Sequence, residues 1–377
     1  MNTVMSIFKP VMSIFKPRAM EIDYVPGMFV KEYDGWRGVA ILMVVLIHFS
    51  PDYFPVGWVG MELFFVLSGF FITGVLVDSK AKKGYYRRFI ERRILRIFPL
   101  YYLCLIILLF LLPHSWYDMS YYRSHQVWFW LYMDNWLFSI DGWPKEKALH
   151  HFWSLAIEEQ FYILWPLAVW LCSAKGLIRT CLFLCFISVI FRNVGMQFGF
   201  VQPFPYVATF GRMEGLALGS MVAVMLRSDK YKALLEKYAY PVTVFAAGLA
   251  MTMFVVAGSM RFWVPYHYSI TYTVLDVFFA GIITLTLCRN QFPLMKKILN
   301  NPALRQIGVM SYCIYIFHYP ILCLIQYNFL GYFEQLTHHE MLGKFCCLVV
   351  AFLVIVPVVY FFHKKVEMPI LKLKKRV

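Results

Sequence analysis

Runs of about twenty apolar residues recur along almost the whole chain, and that is the length a helix needs to cross a bilayer. They lie near 36–50, 57–77, 97–112, 153–172, 180–197, 205–226, 238–258, 269–288, 308–328 and 341–362. Hydrocarbon offers no hydrogen bonds, so a backbone within it must satisfy its own, and separate runs of this length do so as helices. One further segment, 127–140, is short and aromatic and carries Asp134 and Asn135. Its length predicts a re-entrant turn rather than a span. Composition agrees: 60% of residues are hydrophobic, only 15% are charged, and the mean hydropathy is +0.61. A soluble domain carries about 25% charged residues. The reading is an all-α polytopic membrane protein with about ten transmembrane helices and one re-entrant segment.

The net charge of +15 is topological rather than a nucleic-acid footprint, because lysine and arginine cluster between the apolar runs. With ten spans, the segments 1–32, 78–96, 173–180, 227–238 and 289–306 and the tail from 363 fall on one side, and they hold most of the basic residues. The other side holds Arg123, Lys145, Lys147 and Arg261, with Arg192 and Lys344 near span ends. The positive-inside rule then places both termini in the cytoplasm. If 127–140 spanned, the later basic loops would face outward, which is the reason for reading it as re-entrant. The first thirty residues lack an apolar stretch followed by a small-residue cleavage site, so no cleaved leader is expected. The division is a basic cytosolic lead-in at 1–32, a transmembrane domain at 33–363 and a basic cytosolic tail at 364–377. The lead-in holds an in-frame duplication, Val4–Pro10 repeated as Val11–Pro17.

The nine cysteines lie in or beside apolar runs and form no Cys-x-x-Cys pair, so they read as apolar filler and no metal site is expected. Eight of the eleven tryptophans (58, 116, 128, 130, 136, 143, 153 and 263) fall on or near the outer side. An interfacial belt accounts for many of them; sugar rings also stack on such faces.

Ionisable residues inside apolar runs are costly and point to function. Arg37 and His48 stand eleven residues apart, which on a helix is three turns plus about 20°, so they share one face about 16 Å apart along the axis. Span 2 carries Glu62; span 4 opens with Trp153, Ser154, Glu158 and Glu159; span 6 carries Arg212 and Glu214; span 9 carries His318. Topology puts His48, Glu62 and the span 4 carboxylates at similar outer depth. This predicts a histidine general base oriented by Glu158 or Glu62. Arg87, Arg88, Arg92, Arg93 and Arg96 fall on the cytoplasmic side. Guanidinium forks suit phosphates, so these arginines point to an anionic cofactor or lipid headgroup. The roles of His150, His151 and His318 stay open.

These motifs stand together in order: Asp34-Gly-Trp-Arg37-Gly with His48, Gly60-Met-Glu-Leu-Phe-Phe-Val-Leu-Ser-Gly-Phe-Phe-Ile-Thr73, Arg92-Arg-Ile-Leu-Arg-Ile-Phe-Pro99, Phe152-Trp-Ser-Leu-Ala-Ile-Glu-Glu-Gln-Phe-Tyr162, Arg212-Met-Glu-Gly-Leu-Ala-Leu-Gly219 and Ser311-Tyr-Cys-Ile-Tyr-Ile-Phe-His-Tyr-Pro320. Over about 34–370 the chain resembles the acyltransferase-3 family of membrane O-acyltransferases. Glu62 and Glu214 depart from it, standing where that family usually has aspartate. The resemblance implies an inner-membrane enzyme moving an acyl group, usually acetyl, from cytoplasmic acyl-CoA to a hydroxyl of an extracytoplasmic glycan such as lipopolysaccharide O-antigen. It implies that Arg37 and His48 form the family's Arg-x10-His motif, and that Arg93 and Arg96 match its Arg-x-x-Arg motif. The site expected on these grounds has His48, Glu158 and Glu62 as catalytic residues. Arg37, Arg92, Arg93 and Arg96 hold acetyl-CoA, while Trp153, Ser154, Glu159, Arg212 and Glu214 contact the substrate. Many relatives carry an extra extracytoplasmic esterase-like domain. This sequence stops about fifteen residues after its last span, so none is expected here. His48 acts either as a base or through a covalent acyl-histidine. A transporter or flippase for lipid-linked sugar is the rival class; no inverted pair of halves favours it.

Overall fold

The computed structural model describes residues 20–199, 203–289 and 291–373. The duplicated heptapeptide and residues 374–377 lie outside the described residues. Ten principal helices carry the architecture: α1 (Glu32–Phe49), α2 (Val59–Ser79), α3 (Tyr85–Ile106), α4 (Trp153–Leu171), α5 (Ala174–Gln197), α6 (Glu214–Met225), α7 (Asp229–Ala257), α8 (Tyr272–Thr286), α9 (Ser311–Thr337) and α10 (Glu340–Phe362). Seven helical segments among the described residues are long and apolar enough to cross a membrane by length and composition. They contain α2, α3, α5, α7, α8, α9 and α10. α1 and α4 have comparable lengths of 18 and 19 residues, but polar side chains lower their hydropathy.

α2 is the central pillar: 78% of its apolar window is buried inside the protein, against 17% for α5 and 22% for α7 and α10. The outer helices instead show apolar side chains outward, among them Phe186, Phe245, Val255, Phe352 and Leu353, as expected of a bundle whose solvent is lipid. α2 packs on α6, α1, α8 and α4. Its contact with α6 depends on glycine. A Cβ on Gly219 would run into the Val66 carbonyl, and one on Gly69 into the Leu216 carbonyl. The two backbones touch because neither residue has a side chain, which is how membrane helices gain dispersion contact without a hydrophobic driving force.

Two expected elements are built from shorter pieces. The run 205–226 is broken into a short helix Phe204–Val207, a 3-10 turn Thr209–Gly211 and then α6. The break frees the Gly211 carbonyl, and the Arg192 guanidinium donates to it, as it also does to Tyr268 O before α8 (2.6 Å for the latter). The segment around 127–140 becomes three helices, Ser120–Ser124, Gln126–Trp130 and Asp134–Asp141, none long enough to cross a membrane. The lead-in is also more involved than a surface tail. Ile22 forms an antiparallel bridge with Cys288, and Asp23 N–H donates to Leu287 O (3.0 Å), which pins residues 20–24 beside the end of α8.

The α2–α6 contact generates a test. Gly219→Ala is expected to lower the unfolding temperature in detergent, at a cost of about 1–3 kcal/mol from overpacking. A Cβ on Gly248 of α7 meets nothing within 4 Å, so Gly248→Ala is expected to be neutral or mildly stabilising. Equal melting temperatures for the two variants would contradict the packing.

Candidate active site

Two cavities meet inside the bundle. One, of about 510 Å³, lies at the end carrying Arg37, Arg93 and Arg96, and is called the arginine-end cavity. The other, of about 1020 Å³, contains His48, His150 and His151 and is called the histidine-end cavity. Met61 and Tyr315 line both, so these two side chains form the partition.

Helical stripes build the walls. On α4, Ser154, Glu158 and Tyr162 recur every four residues and face the arginine-end cavity. On α2 the stripe is Met61, Phe64, Ser68 and Phe71. On α9, Ser311 and Tyr315 face the arginine end, and Tyr315 and Tyr319 the histidine end. α1 runs beside the first part of α9, and two of its polar residues, Arg37 and His48, are bonded to it. Arg37 Nη2 donates to Ser311 Oγ (2.9 Å), and His48 Nδ1 lies 2.9 Å from His318 Nε2. The shared face of Arg37 and His48 is therefore the face against α9.

At the arginine end, Arg93 and Arg96 stand one helical turn apart on α3, and Arg93 lies 5.7 Å from the Tyr162 ring centroid. Among the described residues, none of Arg37, Arg93 and Arg96 forms an ion pair with a carboxylate, and the buried Nε of Arg93 has no hydrogen-bond partner. Ser68 and Tyr162 hydrogen-bond to each other and line the same cavity as Glu158. Asp34, Asp78 and Arg227 also line the cavity, with Asp78 paired to Arg227 and Asp34 to Arg305 (3.9 Å), so Arg37, Arg93 and Arg96 face Glu158 without an ion pair of their own and the cavity fits an anionic or strongly dipolar ligand.

At the histidine end, the His48 ring stacks on Tyr319 (4.1 Å between centroids), and His151 and His318 lie 6.1 and 5.0 Å from it. The hydrogen bonds assign the tautomers. His318 Nδ1 lies 3.0 Å from Ile314 O and 2.9 Å from Tyr315 O. Carbonyl oxygens only accept, so this nitrogen carries the hydrogen and Nε2 of the neutral ring is an acceptor. His48 Nδ1 must then donate to it, which leaves the lone pair of His48 on Nε2. His150 stacks on Trp143 (4.7 Å) and donates from Nε2 to Pro144 O (3.0 Å). Burial lowers its pKa to about 4, so it is neutral near pH 7. Among the described residues no group of three or more His, Cys, Asp or Glu has the geometry to hold a metal ion.

The expected residues divide between these places. Arg37, Arg93, Arg96, Ser154 and Glu158 line the arginine-end cavity, and His48 and Trp153 line the histidine-end cavity. The side chain bonded to His48 is His318 rather than a carboxylate. Glu62 pairs with Arg212, and Glu158 faces the arginines, while His318 bonds to His48. Glu62 is one residue past Met61, so about 100° of helix turn takes it off the cavity stripe and toward α6. Arg92, one residue from Arg93, is exposed and lines neither cavity. Arg212 and Glu214 are not at a cavity surface either. Arg212 pairs with Glu62 and Arg192 with Glu214, all four at most 1% exposed. The Arg212 guanidinium lies 4.2 Å from the Tyr272 ring centroid and also against Trp153 and Tyr206. Those last two line the histidine-end cavity, so the ion pair braces its aromatic wall. Glu159 is buried, and its Oε1 has no partner. Tyr315, Met61, Tyr319, Ser68 and Tyr162 join the site without having been singled out; their period along α2, α4 and α9 is the signal that would have found them.

A family model described as an acyltransferase domain matches residues 30–363. The peptidoglycan O-acetyltransferase OatA of Listeria monocytogenes serovar 1/2a is 26% identical over 314 residues, 78% of this chain and 50% of that protein. O-acetyltransferase OatA of Staphylococcus aureus is 26% identical over 341 residues, 84% of this chain and 53% of that protein. YrhL of Bacillus subtilis is 30% identical over 328 residues, 80% and 49% respectively. The chain thus spans about half the length of the curated relatives it matches. No solved structure gives a significant match.

The Glu62–Arg212 pair generates a test. Glu62→Gln leaves a guanidinium unpaired in the core and is expected to cost about 3–5 kcal/mol, read as a fall in unfolding temperature. The double variant E62L/R212M is expected to recover most of it. A neutral effect of E62Q alone would contradict the pairing.

Proposed function

The chain belongs to the acyltransferase-3 family, and from that premise we propose that it is an acyl-CoA-dependent O-acetyltransferase of the bacterial inner membrane. In this reading the arginine end faces the cytoplasm and receives acetyl-CoA. The histidine end faces outward and receives a hydroxyl of a surface glycan, such as lipopolysaccharide O-antigen. The orientation is supported by the clustering of basic residues on the arginine-end side of the sequence topology. Acetyl as the group and glycan as the acceptor are supported by the two named O-acetyltransferases, one of them acting on peptidoglycan.

The observation that carries the reading is the pair of cavities with different chemistry, separated by Met61 and Tyr315. Arg93 and Arg96 hold phosphates of the nucleotide end, and the pantetheine arm runs past Arg37 and Glu158 toward the partition. The thioester reaches His48 there. His48 Nε2 takes the proton of the acceptor hydroxyl as its oxygen bonds to the acetyl carbonyl carbon. The C–S bond then breaks, and the CoA thiolate takes the proton back from the imidazolium. His318, donating from Nδ1 to two backbone carbonyls, orients the His48 ring, the role expected of Glu158 or Glu62. Ser154, bonded to Tyr315 Oη (2.7 Å), holds one half of the partition.

His48→Ala is expected to reduce acetyl transfer at least 10²-fold in purified protein given labelled acetyl-CoA and acceptor; full activity would overturn the site. Lysine at both Arg93 and Arg96 is expected to raise KM for acetyl-CoA about tenfold, and an unchanged KM would remove the docking role. No label is expected on His48 before acceptor is added; trapping it there would replace direct transfer with an acyl-histidine.

A further inference from the structure

The side of the membrane that receives the acceptor is the side where basic residues are scarce, yet three lysines line its cavity: Lys145, Lys147 and Lys344. Lys344 is paired with Glu340 one turn away. The one acidic residue lining the cavity, Asp52, is tied to Arg261 (2.8 Å). Glu146, between the two remaining lysines, does not line the cavity. Lys145 and Lys147 are exposed and form no ion pair among the described residues. Their charges are therefore uncompensated, and they face the same space as His48.

The loop carrying them is held in place. Tyr117 Oη accepts from Lys147 N–H (2.9 Å), Tyr122 donates to Glu146 O, and His150 holds Pro144 O. Aromatic faces stand on the same cavity: Trp143 is stacked on His150, and Trp263 has the Arg261 guanidinium 5.1 Å from its ring centroid. Flat aromatic surfaces for sugar rings, with preset unpaired ammonium groups beside them, match a sugar bearing an oxyanion. A neutral acceptor would leave two cations unpaired at the mouth, on the side where topology disfavours them.

We infer that the acceptor is an acidic glycan, bearing a carboxylate or phosphate near the acylated hydroxyl, and that Lys145 and Lys147 hold that group. This rests on the acetyltransferase reading above. Its test compares three acceptors with the full chain in nanodiscs and labelled acetyl-CoA: an oligosaccharide containing uronic acid, the same compound with its carboxyls reduced to alcohols, and a phosphorylated neutral counterpart. At least one charged acceptor is expected to exceed the reduced one about tenfold in kcat/KM, in keeping with two exposed charge contacts; which one does so identifies the anion. The ratio is expected to fall toward one in K145Q/K147Q, and in wild-type protein at high salt. Equal use of charged and reduced acceptors overturns the inference while leaving the acetyltransferase reading intact. A preference that survives both substitutions overturns the role of the lysines. No transfer to any of the three overturns the acetyltransferase reading and this inference with it.

Discussion

A polar side chain inside this bundle can be paired only from within the protein, because lipid supplies no partner. Arg212 and Arg192 answer that constraint with Glu62 and Glu214 and with rings and carbonyls brought by neighbouring helices. The interruption before α6 follows from it, since only an unwound backbone offers Gly211 O to Arg192. The two imidazoles at the other end obey the same rule with a different outcome. His318 spends its N–H on its own helix and His48 spends its N–H on His318, and one nitrogen lone pair is left over. In the proposed reaction that unspent lone pair is the base. The unpaired arginines around the other cavity are its counterpart in charge.

Much of this was legible in the sequence, for a geometrical reason. Arg37 and His48 lie on one helix, and the helical period alone states that they share a face. Their partners Ser311 and His318 lie on another helix 274 and 270 residues away. Depth along each span could be read from topology; rotation about each span could not. Glu62 shows the consequence. Topology set it at the depth of His48, but the stripe facing the cavity is that of Met61 and Ser68, and Glu62 pairs with Arg212 instead. Arg92 and Arg93 differ in the same manner on α3. The run 205–226 was legible as apolar but not as broken, because nothing in its composition reveals that Arg192, from α5, needs its Gly211 carbonyl.

The glycine contacts connect the fold to the site. Close approach of α2 and α6 at Gly69 and Gly219 sets the rotation of α2. That rotation aims Met61, Phe64 and Ser68 into the arginine-end cavity and Glu62 at Arg212. Met61 then meets Tyr315 of α9, itself bonded to Ser154 of α4. Three helices thus converge on the one layer that divides the two cavities. In the reaction proposed above, an acyl group that passes this layer would cross the membrane without its carrier crossing.

The most direct measurement of that claim uses sealed vesicles holding the protein, with glycan acceptor trapped inside and labelled acetyl-CoA added only outside. Label is expected to appear on the internal glycan at a rate set by the protein, while acetyl-CoA itself stays outside and the His48→Ala protein transfers none. Label reaching the glycan only when both substrates share one compartment would contradict a route through the partition of Met61 and Tyr315.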